Sequence, residues 1–332
     1  MRIFRHHRDI PDGFKSGVVA IGNFDGVHRG HQALMAEAKR LAGERNAIFA
    51  VLAFEPHPQE FFRRGAECFR LTPFRTKARL IAEQGADAMF ALPFDAAMAA
   101  NSAQDFILDV LIDGIGAGAV VVGADFRFGK GRAGDAAVLA YMGGMEGLGV
   151  TIFPAVEDEH HGKISSSRIR AALKAGHPEE AAQLLGHCWT VESRVEHGDG
   201  RGRTIGVPTA NMRIDDYLAP AFGVYAVRAT VMEDDTPAGR YDGVANFGIR
   251  PMFEVPVPLL ETWLFDFSDD LYGKHLAVEL LAYLRPEAKF SDLEALKMQI
   301  EADAQAARKV LDATAWRAAN EALRLDGRGA CW

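Results

Sequence analysis

Through the first half of the chain, short runs of consecutive apolar residues alternate with longer stretches in which apolar positions recur every three or four residues. Residues 18–21, 48–54, 88–92, 119–123 and 150–153 read as buried strands. After the first, Leu34, Met35, Ala38 and Leu41 share one helical face. Thr72 and Pro73 open a second helix, as N-cap and first-turn residue, and Gly85 closes it. Ser102, with Asp105 three residues on, caps a third helix. Residues 178–185, stopped by Gly186, form the last helix of this half. This alternation predicts an α/β domain with a parallel sheet and helices on both faces.

After Gly186 the period changes. Residues 191–195, 225–231, 241–246, 261–267 and 276–284 are β-rich runs separated by glycines and prolines, without a helical pattern between them. They predict a small antiparallel barrel or sandwich. A final helix starts at Ser291, with Glu294 in the capping-box position, and runs past Val310. The chain therefore divides into residues 1–186 and 187–332.

Composition agrees with two domains: there are 332 residues, 48% hydrophobic and 25% charged, which excludes a disordered or fibrous chain. The net charge is -8 and the basic residues are scattered, so no nucleic-acid partner is expected. Any phosphate is then held by local geometry. The three cysteines, Cys68, Cys188 and Cys331, form no CxxC pair and fit a reducing cytoplasm. Residues 1–17 are charged and lack the apolar core of a signal peptide. The longest apolar stretch, 114–124, is short and glycine-rich, whereas a bilayer span needs roughly 18 residues, so no membrane partner is expected. Nothing in the sequence sets an oligomeric state.

The candidate chemistry begins between the first strand and the first helix, with Gly22-Asn23-Phe24-Asp25-Gly26-Val27-His28-Arg29-Gly30-His31. In an open α/β sheet, ligands bind at the carboxyl ends of strands. A helix N-terminus there offers free N–H groups and a positive dipole end to phosphate. The glycines permit close approach of the backbone, and His28 and His31 can face one phosphate. A metal pair would need the i, i+4 spacing and intervening Glu of a metalloprotease helix, both absent. A plain glycine-rich turn leaves the convergence of Asn, Asp and two His unexplained.

A His-x-Gly-His turn in this position resembles the nucleotidylyltransferase superfamily, with its Rossmann-like fold. The longer string resembles the prokaryotic bifunctional riboflavin kinase/FMN adenylyltransferase, or FAD synthetase, family. Phe54-Glu55-Pro56-His57-Pro58, Gly123-Ala124-Asp125-Phe126-Arg127-Phe128-Gly129 and Ile164-Ser165-Ser166-Ser167-Arg168-Ile169-Arg170 are similar to further segments of that family. The resemblance implies nucleotide contacts from Gly22, Asn23, Phe24, Asp125, Ser166, Ser167 and Arg170, with His28 and His31 stabilising charge during adenylyl transfer. Ser167 stands where threonine is usual.

The second half opens on residues 198–211, a loop of alternating glycines ending in Pro208-Thr209-Ala210-Asn211. It is not a P-loop, because Gly-x-x-x-x-Gly-Lys-Ser/Thr is absent; alone, it would read as a glycine-rich hairpin loop. With Gly223-Val224-Tyr225-Ala226, Asn246-Phe247-Gly248 and Glu261-Thr262-Trp263, it resembles the riboflavin kinase family. The resemblance implies Mg²⁺ brought with ATP and held near Thr209 and Asn211, nucleotide contacts at Gly202 and Arg203, and Glu261 as general base. Two departures stand out: Trp263 where histidine is frequent, and Met252 where threonine is usual.

The implied function is flavin cofactor synthesis. Riboflavin and ATP would give FMN in the second domain; FMN and ATP would give FAD and pyrophosphate in the first. Flavin is then substrate and product. Two rival readings remain: a His-x-Gly-His transferase acting on another phosphate acceptor, with a regulatory barrel, and a flavin-binding protein without catalysis. Glu261 and the Pro-Thr-Ala-Asn segment oppose the first; intact His28, His31, Thr209, Asn211 and Glu261 oppose the second.

Overall fold

The computed structural model describes residues 1–63, 67–159, 162–197, 206–233, 236–250 and 257–312. The chain forms two compact units, Met1–Ala66 with Phe74–Ser165, and Glu67–Pro73 with Ser166–Trp332.

The first unit contains β1 (Arg2–Phe4), β2 (Val18–Ile21), β3 (Phe49–Phe54), β4 (Ala88–Leu92), β5 (Ala119–Gly123), a hairpin of β6 (Arg127–Phe128) with β7 (Gly134–Asp135), and β8 (Gly149–Phe153). Six of these form one parallel sheet in the order β1-β4-β3-β2-β5-β8. From β2 the chain moves outward through β3 and β4, then returns to β5 on the other side of β2. Such a reversal opens a crevice at the carboxyl ends of the two strands, here β2 and β5. The central strands are buried on both faces, hence their unbroken apolar runs. The Arg29–Glu44 helix covers one face with Leu34, Met35, Ala38 and Ala42, while Leu41 stays partly exposed. On the other face lies a π-helical segment, Phe106–Ile112, burying Phe106, Ile107, Val110 and Leu111. Ser102 and Asp105 cap its lead-in turn reciprocally: the Ser102 hydroxyl accepts from the Asp105 N–H (3.1 Å) and the Asp105 carboxylate from the Ser102 N–H (3.0 Å).

In the second unit, β9 (Thr190–Glu196), β10 (Ala210–Arg213), β11 (Gly223–Glu233), β12 (Thr236–Arg250), β13 (Val257–Leu264) and β14 (His275–Arg285) close a barrel in the order β10-β13-β12-β11-β14-β9. Every pairing is antiparallel. The Pro178–Leu185 helix ends on Gly186 in the left-handed conformation (φ 77°), as its sequence indicates. By packing it falls within this unit. The preceding helix, Ser166–Lys174, is tied in the same way: its Leu173 carbonyl accepts from the Ala221 N–H (3.0 Å).

The Leu293–Asp312 helix lays Ala304, Ala307 and Leu311 on Cys188, Val224, Ala226 and Phe265 of the second unit. It starts later than the sequence suggests. Asp292, not Ser291, is the acceptor, taking the Ala295 N–H (2.8 Å) and the Ser291 hydroxyl (2.9 Å). An ionised carboxylate is a stronger acceptor than a hydroxyl, and these bonds hold Asp292 below the usual carboxylate range. Arg285 fixes the helix by a two-pronged ion pair to buried Asp303 (2.8 and 2.6 Å). Among the described residues, no helix is long and apolar enough to cross a membrane.

Candidate functional site

In the first unit the turn after β2 is built from unusual backbone. Phe24 (φ 51°), Gly26 (φ 85°) and Val27 (φ 44°) all lie in the left-handed region. For the β-branched Val27 this is a strained conformation, worth roughly 1–3 kcal/mol. Surrounding contacts enforce it. The Gly22 N–H donates to the Leu52 carbonyl (3.1 Å), and the Val27 carbonyl accepts from the buried Gln32 side chain (2.8 Å). The Phe24 ring is wholly buried under Gly22, where a Cβ would stand 3.2 Å from it. The Phe24 side chain thus supports the turn from within, and Asn23 is exposed.

The turn delivers His28 as N-cap of the Arg29–Glu44 helix. Its Nδ1 accepts the His31 N–H at 3.3 Å. A neutral His28 ring therefore carries its proton on Nε2. The His28 and His31 rings stack with centroids 3.5 Å apart, and the Phe24 ring meets His31 edge-on at 5.2 Å. Gly30 leaves room for this pair: a Cβ there would lie 3.2 Å from the His28 ring.

Asp125 follows β5, and because Ile21 pairs with Val122, its loop begins beside the histidine turn. Its carboxylate meets Lys163 at 2.5 Å; that ammonium holds Asp125 below the usual carboxylate range. Ser166 and Ser167 open the Ser166–Lys174 helix, in the second unit. On the same helix, Arg170 donates from Nε to the Phe69 carbonyl (2.7 Å) and lies over the Phe69 ring.

One feature of this unit escapes sequence reasoning. Phe94, after β4, touches Phe54, Phe61 and Phe62, with centroids 5.3, 5.6 and 5.9 Å away. Phe62 is 69% exposed. The adjacent Phe61-Phe62 pair, just beyond Pro58, was the available signal.

In the second unit, register does the assembly. Glu261 on β13 stands directly opposite Asn211 on β10 and Asn246 on β12. Directly paired residues project to the same face, so these three form one polar row. The next row, Ala210, Thr262 and Ala245, projects to the opposite face and is buried. Asn211 is buried, and its Nδ2 donates to the Thr209 carbonyl (3.5 Å). Gly248 lies at the same end of β12, and a Cβ there would collide with the Glu287 carboxylate. Asn246 and Glu287 are thus further polar groups at the row. Their relation to Glu261 depends on strand pairing across long sequence separations.

Gly202, Arg203 and Met252 lie outside the described residues. Trp263 joins the apolar cluster under the terminal helix, its ring edge-on to Phe265 at 5.5 Å. That packing accounts for a large ring at this position. A cavity of about 400 Å³ opens beside Thr209, lined also by Thr262, Leu264, Asp269, Asp270 and Tyr272. Thr262 Oγ1 is buried there without a hydrogen-bond partner among the described residues. Among these residues, no group of three or more His, Cys, Asp or Glu is placed to hold a metal ion.

Comparison with known proteins covers both units. The family model for FAD synthetase matches residues 11–168, and that for riboflavin kinase matches residues 185–311. The chain is 40% identical over 316 residues to the bifunctional riboflavin kinase/FMN adenylyltransferase of Escherichia coli K12, covering 95% of this chain and 99% of that one. To the protein of the same description from Bacillus subtilis it is 37% identical over 313 residues, covering 92% and 96%. A crystal structure of a macrolide-efflux protein from Streptococcus pneumoniae has a TM-score of 0.80 and 32% identity, over 92% of this chain and 98% of that one.

Proposed function

The chain belongs to the bifunctional riboflavin kinase/FMN adenylyltransferase family, and from that premise we propose how its residues divide the two reactions. The region matched by the riboflavin kinase model phosphorylates riboflavin with ATP. The region matched by the FAD synthetase model transfers the adenylyl group of ATP to FMN, giving FAD and pyrophosphate. We place the functional boundary at Gly186, with adenylyl transfer in residues 1–186 and the kinase in 187–332. The observation carrying the division of roles is that His28, His31 and Asp125 lie in one packing unit and Thr209, Asn211 and Glu261 in the other, while Ser166, Ser167 and Arg170, which we assign to adenylyl transfer, pack with the second unit.

In the kinase reaction the nucleophile is a neutral ribityl hydroxyl. Glu261 takes its proton as the oxygen attacks the γ-phosphorus and ADP departs. Thr209 and Asn211 suit Mg²⁺, which prefers oxygen donors. The Asn211 amide nitrogen donates to the Thr209 carbonyl, which holds the two residues side by side. Mg²⁺ supplies charge neutralisation at the phosphate oxygens when bound. Gly202 and Arg203 serve the nucleotide.

In adenylyl transfer the FMN phosphate is already anionic, so the requirement is electrostatic rather than basic. It attacks the α-phosphorus, and pyrophosphate leaves. His28 donates from Nε2 and His31 adds to the field at the helix N-terminus, both acting on the charge that grows at phosphorus. Gly22, Asn23 and Phe24 offer backbone to the nucleotide and Asp125 its carboxylate. Ser166, Ser167 and Arg170 bind phosphate. Phe62 and Phe94 form an aromatic shelf on which the flavin ring stacks. A cytoplasmic setting accords with the cysteine content.

The test is direct. Protein incubated with riboflavin, ATP and Mg²⁺ is expected to yield FMN and then FAD on chromatography. Failure to make either product, or undiminished turnover in excess chelator, overturns the corresponding part of the reading.

A further inference from the structure

Lys77 is the most deeply buried lysine among the described residues, at 2% exposure, and neither reaction uses it. It sits on the core face of the Phe74–Glu83 helix, beside Thr76, Ala78, Leu80 and Ile81. A lysine on such a face is costly, because its ammonium leaves water without gaining apolar contact. Methionine or leucine would fill the space without that cost.

The ammonium is spent on one residue. Lys77 Nζ lies 3.3 Å from the Glu55 carboxylate, whose side chain is 15% exposed. Glu55 is the first residue after β3, and its N–H donates to the Leu92 carbonyl at the end of β4 (2.9 Å). Its backbone is therefore tied to the sheet and its side chain to the helix beneath. Immediately after it, Pro56 and His57 lead into the short Pro58–Phe62 helix, which carries Phe61 and Phe62. His57 caps that helix, its Nδ1 accepting the Gln59 N–H (3.1 Å). The arm bearing half of the aromatic shelf is thus rooted at Glu55.

We propose that the buried Lys77–Glu55 ion pair is a positioning element that sets the pitch of the Phe61–Phe62 arm against Phe94, and so governs FMN affinity in adenylyl transfer. The inference rests on the reading of that shelf as the flavin platform. Lys77 touches no reacting atom in this account. Its effect falls on flavin binding, because the arm it anchors carries the aromatic rings and not the histidines.

The experiment compares Lys77→Met, Lys77→Arg and the paired change Lys77→Met with Glu55→Gln, all in the full chain. Removing one partner of a buried pair destabilises strongly, so Lys77→Met alone can fail to fold; removing both charges is far milder. Thermal melting identifies the folded variants, and riboflavin phosphorylation, in the other unit, serves as internal control. The paired variant is expected to be folded, with unchanged kinase activity and an FMN KM for adenylyl transfer raised about tenfold, the order expected when a binding group is displaced by a fraction of an ångström. Its KM for ATP and its kcat at saturating FMN should stay within about twofold of the parent. Lys77→Arg, which keeps the charge, should recover most of the FMN affinity. A folded paired variant with the parental FMN KM overturns the proposal, as does a KM for ATP that rises with it. Phe62→Ala separates the two layers: if it raises the FMN KM and the paired variant does not, only the ion-pair role falls. If Phe62→Ala leaves the FMN KM unchanged, the shelf reading falls and takes the ion-pair role with it.

Discussion

The parallel unit and the barrel prepare for phosphate chemistry in different ways. In the first, backbone conformation does the work: left-handed positions at Phe24, Gly26 and Val27 bend the chain so that His28 caps a helix and stacks on His31. In the second, the Asn211–Glu261–Asn246 row arises from ordinary strand pairing, as three neighbouring strands deliver one residue each. The first arrangement stores strain and depends on glycines. The second stores little and depends on register. The roles we propose follow that difference: an anionic nucleophile needs donors aimed at developing charge, whereas a neutral hydroxyl needs a base with fixed neighbours.

The sharpest way to break this comparison is to remove the proposed base. Glu261→Gln keeps the size of the side chain and the strand register. It should lower riboflavin phosphorylation by about a hundredfold or more, while supplied FMN is still converted to FAD. A variant that phosphorylates riboflavin at the parental rate in a coupled ADP assay would remove Glu261 from its role. His28→Ala should do the converse, with FMN accumulating and FAD formation falling by about a hundred- to a thousandfold. Loss of both activities in a folded His28→Ala protein would show that the units do not work separately.

A subtler change probes the backbone device. Gly30→Ala adds a Cβ 3.2 Å from the His28 ring, which must shift by a few tenths of an ångström. Adenylyl transfer should fall by about tenfold, with the kinase unaffected. Gly43→Ala on the same helix, where a Cβ meets nothing within 4 Å, is the control and should cost nothing. An equal loss in both variants would refute the steric account.

The smallest effect concerns Asp125 and Lys163. The pair depresses the folded-state pKa of Asp125 below its unfolded value. Its stabilisation is therefore present above the ordinary carboxylate range and is lost as pH falls through the depressed folded value. Both side chains are largely exposed, so the contribution is small and salt-sensitive. Acid titration followed by NMR should show the Asp125 carboxyl titrating at higher pH in Lys163→Ala than in the parent. An unshifted curve would mean the pair does not persist in solution.

The strands of the parallel sheet were legible in sequence because burial on both faces leaves unbroken apolar runs. β1 was not, since three residues at a sheet edge, two of them exposed, carry almost no period. β10 was hidden because Ala210–Arg213 is short and its residues read first as ligand chemistry. The late start of the terminal helix turned on which of two adjacent acceptors wins, a question of charge that the capping pattern does not decide. In the sites, the histidine turn was legible because all its parts are consecutive. The polar row was only half legible: Glu261 and Asn211 are named by local motifs, but their pairing with Asn246 and the approach of Glu287 to Gly248 depend on barrel closure. The Trp263 departure likewise acquires a cause only when the terminal helix is seen above it.

Closure of the barrel also governs how the two units behave when damaged. A closed sheet exposes no row of unsatisfied amide and carbonyl groups, and so gives a neighbouring molecule nothing to extend. The parallel sheet ends instead on β8, where Ile152 is 43% exposed and the adjoining Ala136–Met145 helix leaves Tyr141 and Met145 uncovered. Self-association on heating should therefore start from β8, with strands of separate molecules adding to one another. Ile152→Lys should delay turbidity without moving the melting midpoint of the barrel, and an unchanged onset would place the sticky surface elsewhere.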